Sequence, residues 1–158
     1  MNSQVVTLTA VTSTGNLTQI FPAGMTAGPG TGAPGSMKRM TSSGCLFRAE
    51  VCPDGANGGV LELWDVDGSD GGANVDTGTT ITNAQLNVSL ALSPRRARLI
   101  YTQSFSGAGA GDVRAQSIVP AGLHINWGLA ARFIGAAGTC SLNVSMEGCG
   151  KKIWIAGT

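Results

Sequence analysis

Apolar residues recur at every second position along most of the chain, and this period constrains the fold more than any other feature. The clearest runs are 45–51, 86–92, 123–127 and 142–146. Successive side chains of a strand point to opposite faces of a sheet, so each run predicts a strand with one buried face and one solvated face. No window of a dozen residues fits the helical period as well.

Glycine-rich segments separate these runs, at 53–59, 68–72, 107–111 and 135–138. Glycine adopts the positive φ angles that tight turns need. Eight or more short strands with turns at this spacing predict an all-β fold, specifically an antiparallel β-sandwich of the jelly-roll type.

Residues 22–36 differ from the rest because they are rich in glycine and proline and carry almost no side chain to pack. A plain surface loop is one interpretation of this segment. The sharper one divides the chain into a flexible, β-prone N-terminal arm (1–21), a Gly/Pro-rich loop or hinge (22–43) and the β-sandwich domain (44–158). Such an arm can add a strand to a neighbouring molecule.

Charged residues make up only 12% of the chain, about half the usual share, and the net charge is +1. A surface this poor in charge predicts that partners cover part of it. The charge balance argues against nucleic acid and anionic membranes as partners. The only dense basic cluster is Arg95, Arg96 and Arg98, which is either a solvated turn or a contact for an acidic protein surface.

Catalytic and metal-binding patterns are weak, so we expect no enzyme activity. His124 is the only histidine, and no Gly-x-Ser-x-Gly nucleophile motif occurs. The four cysteines, at 45, 52, 140 and 149, have gaps too long for a zinc knuckle, and the sequence leaves open whether they are free or disulfide-bonded. The chain also lacks an apolar run of about 18 residues and a signal-like start, so we expect a protein made in the cytoplasm.

Closely spaced carboxylates after the predicted strand 60–64 form the best ligand-like group. Asp65, Asp67 and Asp70 lie on a glycine-rich segment, and carboxylate oxygens are the ligands that Ca²⁺ requires. A solvated turn is the plainer interpretation. Calcium is therefore the one cofactor for which the sequence offers candidate ligands.

From Gly44 onward the order of features resembles small β-sandwich proteins of tailed-phage virions. The residues concerned are Gly-Val-Leu-Glu-Leu-Trp-Asp (59–65) before a Gly/Asp turn, Val-Pro-Ala-Gly-Leu (119–123), Gly-Leu (128–129) and the closing run 140–146. The resemblance implies a head decoration (cement), head-fibre or tail-associated protein.

The function predicted from the sequence is a non-enzymatic virion protein, assembled in the host cytoplasm, that decorates a capsid and binds across neighbouring capsid subunits. A homo-oligomer is expected, with a trimer favoured where three capsid subunits meet. The predicted contact residues are Val5, Leu8 and Val11 on the arm, with Arg95, Arg96 and Arg98. The alternative is a receptor- or carbohydrate-binding β-sandwich module of a tail or head fibre.

Overall fold

The computed structural model describes residues 2–21, 38–41, 44–53, 58–66, 80–105, 116–118, 123–135, 138–147 and 153–156. These residues form twelve strands and one helix: β1 (Asn2–Val11), β2 (Leu17–Phe21), β3 (Lys38–Thr41), β4 (Gly44–Pro53), β5 (Gly59–Val66), β6 (Thr80–Ile81), α1 (Asn83–Ala91), β7 (Ala97–Phe105), β8 (Gln116–Ile118), β9 (His124–Ile125), β10 (Leu129–Ile134), β11 (Thr139–Glu147) and β12 (Ile153–Ala156). The all-β prediction is confirmed, whereas the jelly-roll arrangement stays a prediction.

Ten strands form one mixed sheet with two limbs, while β3 and β12 pair with each other. In the first limb, β11 lies antiparallel to β1 and β4, and β8 and β9 pair with β4. In the second limb, β10 lies antiparallel to β2 and β5, β6 pairs with β2, and β7 pairs with β5. β1 joins the limbs because residues 2–9 pair with β11, whereas Ala10 and Val11 run parallel to β10.

The alternating apolar residues of both limbs pack into one hydrophobic core. It includes Val6, Leu8, Ile20, Phe21, Ala49, Val51, Leu61, Leu63, Phe105, Ile125, Leu129, Ala131, Phe133, Cys140, Leu142 and Val144. Packing is close at the start of β5, where a Cβ on Gly59 would lie 2.4 Å from the ring of Phe133. The period of two therefore specifies which face of each strand is buried.

The N-terminal segment belongs to this core, which corrects the prediction of a separate arm over residues 1–21. β1 forms eight residue pairs with β11, and its Val6 and Leu8 side chains are 7% and 1% exposed. The arm prediction was wrong because the glycine- and proline-rich segment that follows residue 21 does not show with which strand the preceding residues pair. Most of the predicted hinge, 22–37 and 42–43, lies outside the described residues.

α1 replaces a strand that the alternation over residues 86–92 predicted. The helix begins at a capping box, in which Thr82 Oγ1 accepts the Gln85 N–H at 3.2 Å and Gln85 Oε1 accepts the Thr82 N–H at 2.8 Å. Leu86 and Ser89 are buried while Val88 is exposed, which is helical spacing. The helix packs on the outer face of the second limb against Leu17, Val66, Ile81, Ala97 and Ala130.

Candidate functional site

Asp65, the last residue but one of β5, holds the turn between β9 and β10 in place. Its carboxylate is fully buried. Oδ2 accepts the backbone N–H of Asn126 at 3.0 Å, and Oδ1 accepts those of Trp127 at 2.9 Å and Gly128 at 3.4 Å. Hydrogen bonds to an ionised acceptor are about twice as strong as neutral ones. Asp65 therefore fixes the path by which the chain enters β10.

Arg98 completes this cluster from the neighbouring strand β7. Its Nε donates to Asp65 Oδ2 at 3.1 Å, and its Nη2 donates to the backbone carbonyl of His124 at 2.7 Å. The guanidinium thus links β5, β7 and β9, although its side chain is 48% exposed. His124, the only histidine, takes part in this cluster through its backbone carbonyl, and its side chain is exposed on the surface.

Only one of the three predicted calcium ligands, Asp65, is seen in this cluster. Asp65 lies within it, with both carboxylate oxygens accepting N–H groups, while Asp67 and Asp70 lie outside the described residues. Within the described ranges, no group of three or more His, Cys, Asp or Glu side chains is placed to hold a metal ion. Calcium binding by the three aspartates stays a prediction.

A second polar cluster centres on Arg132, which is 8% exposed on β10. Nε donates to Glu62 Oε2 at 2.7 Å, and Nη1 donates to the carbonyl of Gly15 at 2.9 Å. The guanidinium lies 5.6 Å from the centre of the Trp64 ring, and Trp64 Nε1 donates to the same Glu62 oxygen at 2.8 Å. Sequence analysis missed this cluster, although a charged residue inside the apolar run 129–134 requires a buried partner.

A cavity of about 260 Å³ lies beside Arg132, where β1 crosses from the first limb to the second. Most of its lining side chains carry hydroxyl or amide groups. The lining residues are Thr7, Leu8, Thr9, Val11, Asn16, Leu17, Thr18, Thr80 and Arg132. None of the lining residues carries a carboxylate.

Gln19 of β2 is a further buried polar residue that the sequence analysis did not single out. Its side chain is fully buried, and neither amide atom has a hydrogen-bonding partner in the described part of the chain. An unsatisfied buried amide costs stability. The alternation of β2 shows which face Gln19 occupies, but nothing in the sequence shows that this face is covered.

Apolar and basic side chains are exposed in and around the segment that connects α1 to β7. We define the α1–β7 corner as Val88, Leu92, Arg95 and Leu99. The three apolar side chains are 45%, 36% and 45% exposed, and they are three of the four large exposed hydrophobic residues in the described ranges. Arg95, which lies between Leu92 and Leu99 in the sequence, is also exposed. A hydrogen bond from the Arg96 N–H to the Ser89 carbonyl at 3.0 Å holds the connection against the helix.

The predicted contact residues have different surroundings. Arg95 and Arg98 are exposed and Arg96 is half-buried, all at or beside the α1–β7 corner. On β1, Val5 is 68% exposed, but Leu8 is 1% exposed in the core. A core side chain cannot contact a partner, so the assignment of Leu8 to an interface was wrong; Val11 is half-buried and lines the cavity.

One side of β7 pairs with β5, and no other described strand pairs with its second side. Its only charged residue is Arg98, which is already bonded to Asp65. An edge strand with few charges is a template for pairing with another chain.

Comparison with known proteins found no family model, curated protein or solved structure that matches this chain. Among the described residues, no helix is long and apolar enough to cross a membrane. Functional inference therefore depends on the exposed surfaces and the cavity.

Proposed function

We propose that this chain is a non-enzymatic structural protein of a tailed-phage virion, which decorates the capsid and binds across neighbouring capsid subunits. The observation that carries the proposal is the α1–β7 corner. A contiguous patch of exposed apolar side chains on a protein surface generally marks an interaction site, and the corner is proposed to form such a patch. Arginine beside apolar residues is typical of the energetically important part of a protein interface.

The small number of charges supports the same proposal. Only 12% of the residues are charged, and several of these are engaged in ion pairs within the chain: Arg48 with Glu50, Arg98 with Asp65 and Arg132 with Glu62. Paired charges contribute less to solubility than free ones because their fields cancel. We therefore expect neighbouring proteins to cover part of a surface that has so few free charges.

We place the contact with neighbours at the α1–β7 corner and the adjoining edge of β7, rather than on residues 1–21. β1 is already used inside the fold, where Val6 and Leu8 fill the core. An open edge next to exposed apolar side chains allows a partner to gain main-chain hydrogen bonds and apolar burial together. In the proposed assembly the chain forms a closed homo-oligomer, a trimer in the simplest case. This surface contacts both the neighbouring copy of the chain and the capsid.

The test compares substitutions at the corner with one outside it. Leu92→Asp and Leu99→Asp each place a charge in the proposed contact, and Ser13→Asp places the same charge at an exposed position of the turn between β1 and β2. Light scattering after size exclusion measures the oligomer, and co-sedimentation with virion particles lacking this protein measures capsid binding. We expect both corner variants to lose assembly and binding, and Ser13→Asp to keep them.

Two results would contradict the proposal. If the intact chain neither self-associates nor co-sediments with the particles, the decoration role is wrong. If the corner variants behave like Ser13→Asp, the corner is not the contact, and any decoration role depends on another surface.

A further inference from the structure

We infer that, in the closed homo-oligomer, β1 of one copy pairs with β7 of the next copy, so that Val5 packs beside Leu99. This inference rests on the proposed function, because it names the partner that the α1–β7 corner meets within the oligomer. It depends on three features of the two strands: the direction of their main-chain groups, the face that carries their exposed side chains, and their charges.

The main-chain groups of every second residue of β1 face away from β11. The N–H of Ala10 donates to the Gly138 carbonyl at 2.9 Å, on the side of β11. Main-chain groups alternate between the two sides of a strand, and the register with β11 has no shift over residues 2–9. Val5 and Thr7 therefore turn their N–H and carbonyl groups to the second side of β1, on which no described strand pairs with residues 2–9.

Two residues of β7 present their main-chain groups in the same way. On the neighbouring strand β5, the Val66 N–H donates to the Gly128 carbonyl at 2.9 Å, on the side of β10. The alternation along β5 then places Gln103 of β7 in a hydrogen-bonded pair with β5. Thr102 and Ser104, which flank Gln103, therefore turn their N–H and carbonyl groups to the second side of β7.

Pairing through these groups places the exposed side chains of the two copies on one face. Val5, 68% exposed, is the only large exposed hydrophobic residue of the described ranges outside the corner. Directly paired residues have their side chains on the same face of a sheet. Val5 therefore shares a face with Thr102. Leu99 lies on that face too, because it pairs with Trp64 while Thr102 pairs with Glu62, two residues away on β5.

The charges favour a contact between these two different surfaces over a contact between two corners. β1 contains no charged residue, whereas the corner carries the exposed Arg95. Two corners that meet across a two-fold axis would bring their Arg95 side chains toward each other, which is unfavourable at short range. A corner that meets β1 avoids this repulsion.

A contact between two different surfaces also agrees with a closed ring. Such a contact repeats from copy to copy and closes when the rotation allows it, whereas a contact between like surfaces gives a two-fold dimer. β1 is not a free arm in this arrangement. Its first side stays paired with β11 inside its own copy, and only its second side meets the neighbour.

The test mixes two variants that each damage one of the two surfaces. Val5→Asp places a charge on β1, and Leu99→Asp places the same charge at the corner. Light scattering after size exclusion measures the oligomer of each variant alone and of their equimolar mixture. We expect each variant alone to be monomeric, because every copy then lacks one half of the contact. The mixture should form a dimer with one copy of each variant, since the intact corner of the first meets the intact β1 of the second and the two damaged surfaces cannot bind a third copy.

Two further variants complete the test. Ser13→Asp, in the exposed turn between β1 and β2, is the control and should assemble like the intact chain. Val5→Pro removes an N–H that faces the second side of β1, a strand position at which proline is tolerated. It should weaken each contact about 2- to 13-fold, the equivalent of one hydrogen bond, as measured by dilution of the oligomer. Amide NMR of each variant checks that the fold is retained.

Three outcomes would overturn the inference. If Val5→Asp assembles like the intact chain while Leu99→Asp does not, the corner is a contact but β1 is not its partner. If the mixture stays monomeric, the two surfaces do not meet. If Val5→Pro assembles as tightly as the intact chain, the strands do not pair through their main-chain groups. Assembly of Leu99→Asp like the intact chain would contradict the proposed contact at the corner as well.

Discussion

Replacing Asp65 with asparagine should destabilise the protein strongly although it changes few atoms. The carboxylate is fully buried and accepts N–H groups from Arg98, Asn126 and Trp127 within 3.1 Å. An asparagine side chain keeps one acceptor oxygen but turns an amino group toward N–H donors on the other side. It therefore loses charge-assisted hydrogen bonds, each worth about 1.5–3 kcal/mol, and leaves a buried donor unsatisfied, which costs about 1–3 kcal/mol.

Together these effects predict a loss of about 3–5 kcal/mol in the free energy of unfolding. That is a large fraction of the 5–15 kcal/mol that stabilises a typical domain. Urea unfolding followed by tryptophan fluorescence measures it. The control is Glu50→Gln, which removes an ion pair with Arg48 on a surface where the two side chains are 56% and 32% exposed and should cost no more than about 1 kcal/mol. A loss below 1 kcal/mol for Asp65→Asn would refute the role assigned to this carboxylate.

Three further predictions follow from the fold. Deletion of residues 1–21 should abolish the folded state, because β1 joins the two limbs; a dispersed NMR spectrum of the truncated chain would restore the arm hypothesis. Thr82→Ala should remove the capping box of α1 and cost about 1 kcal/mol, or roughly 2–4 °C in Tm by calorimetry, whereas Ser13→Ala, in the exposed turn between β1 and β2, is the control and should change Tm little. Gln19→Met should raise the free energy of unfolding by about 1–3 kcal/mol because it removes two unsatisfied buried groups, and a lower stability would show that the amide is bonded after all.

The strands were predictable because burial on one face of a sheet leaves a direct trace in the sequence. Leu142 and Val144 of β11 are buried as their alternation with Ser141 and Asn143 requires. The same rule failed for α1, whose Leu86 and Val88 alternate like strand residues while only Leu86 is buried. There the local signal was the capping box of Thr82 and Gln85, which a search for periodicity does not detect.

The candidate sites were less predictable because each combines residues that are far apart in the chain. Arg95 and Arg98 attracted attention as a basic cluster, but the exposure of Val88, Leu92 and Leu99, which are close to them in the sequence, became visible only once α1 and β7 were placed. The cavity joins residues 7–11 and 16–18 to Thr80 and Arg132. Such a grouping has no local spacing or motif, since it arises from the pairing of strands.

By itself, the sequence determined the all-β class and the buried face of most strands, because alternation and glycine-rich turns are local properties of the chain. Only the tertiary structure decided that β1 lies inside the sheet and that Asp65 and Arg132 are buried with partners 33 and 70 residues away. Strand pairing is a choice among distant segments with similar patterns. That choice depends on the total packing of the core, to which every segment contributes.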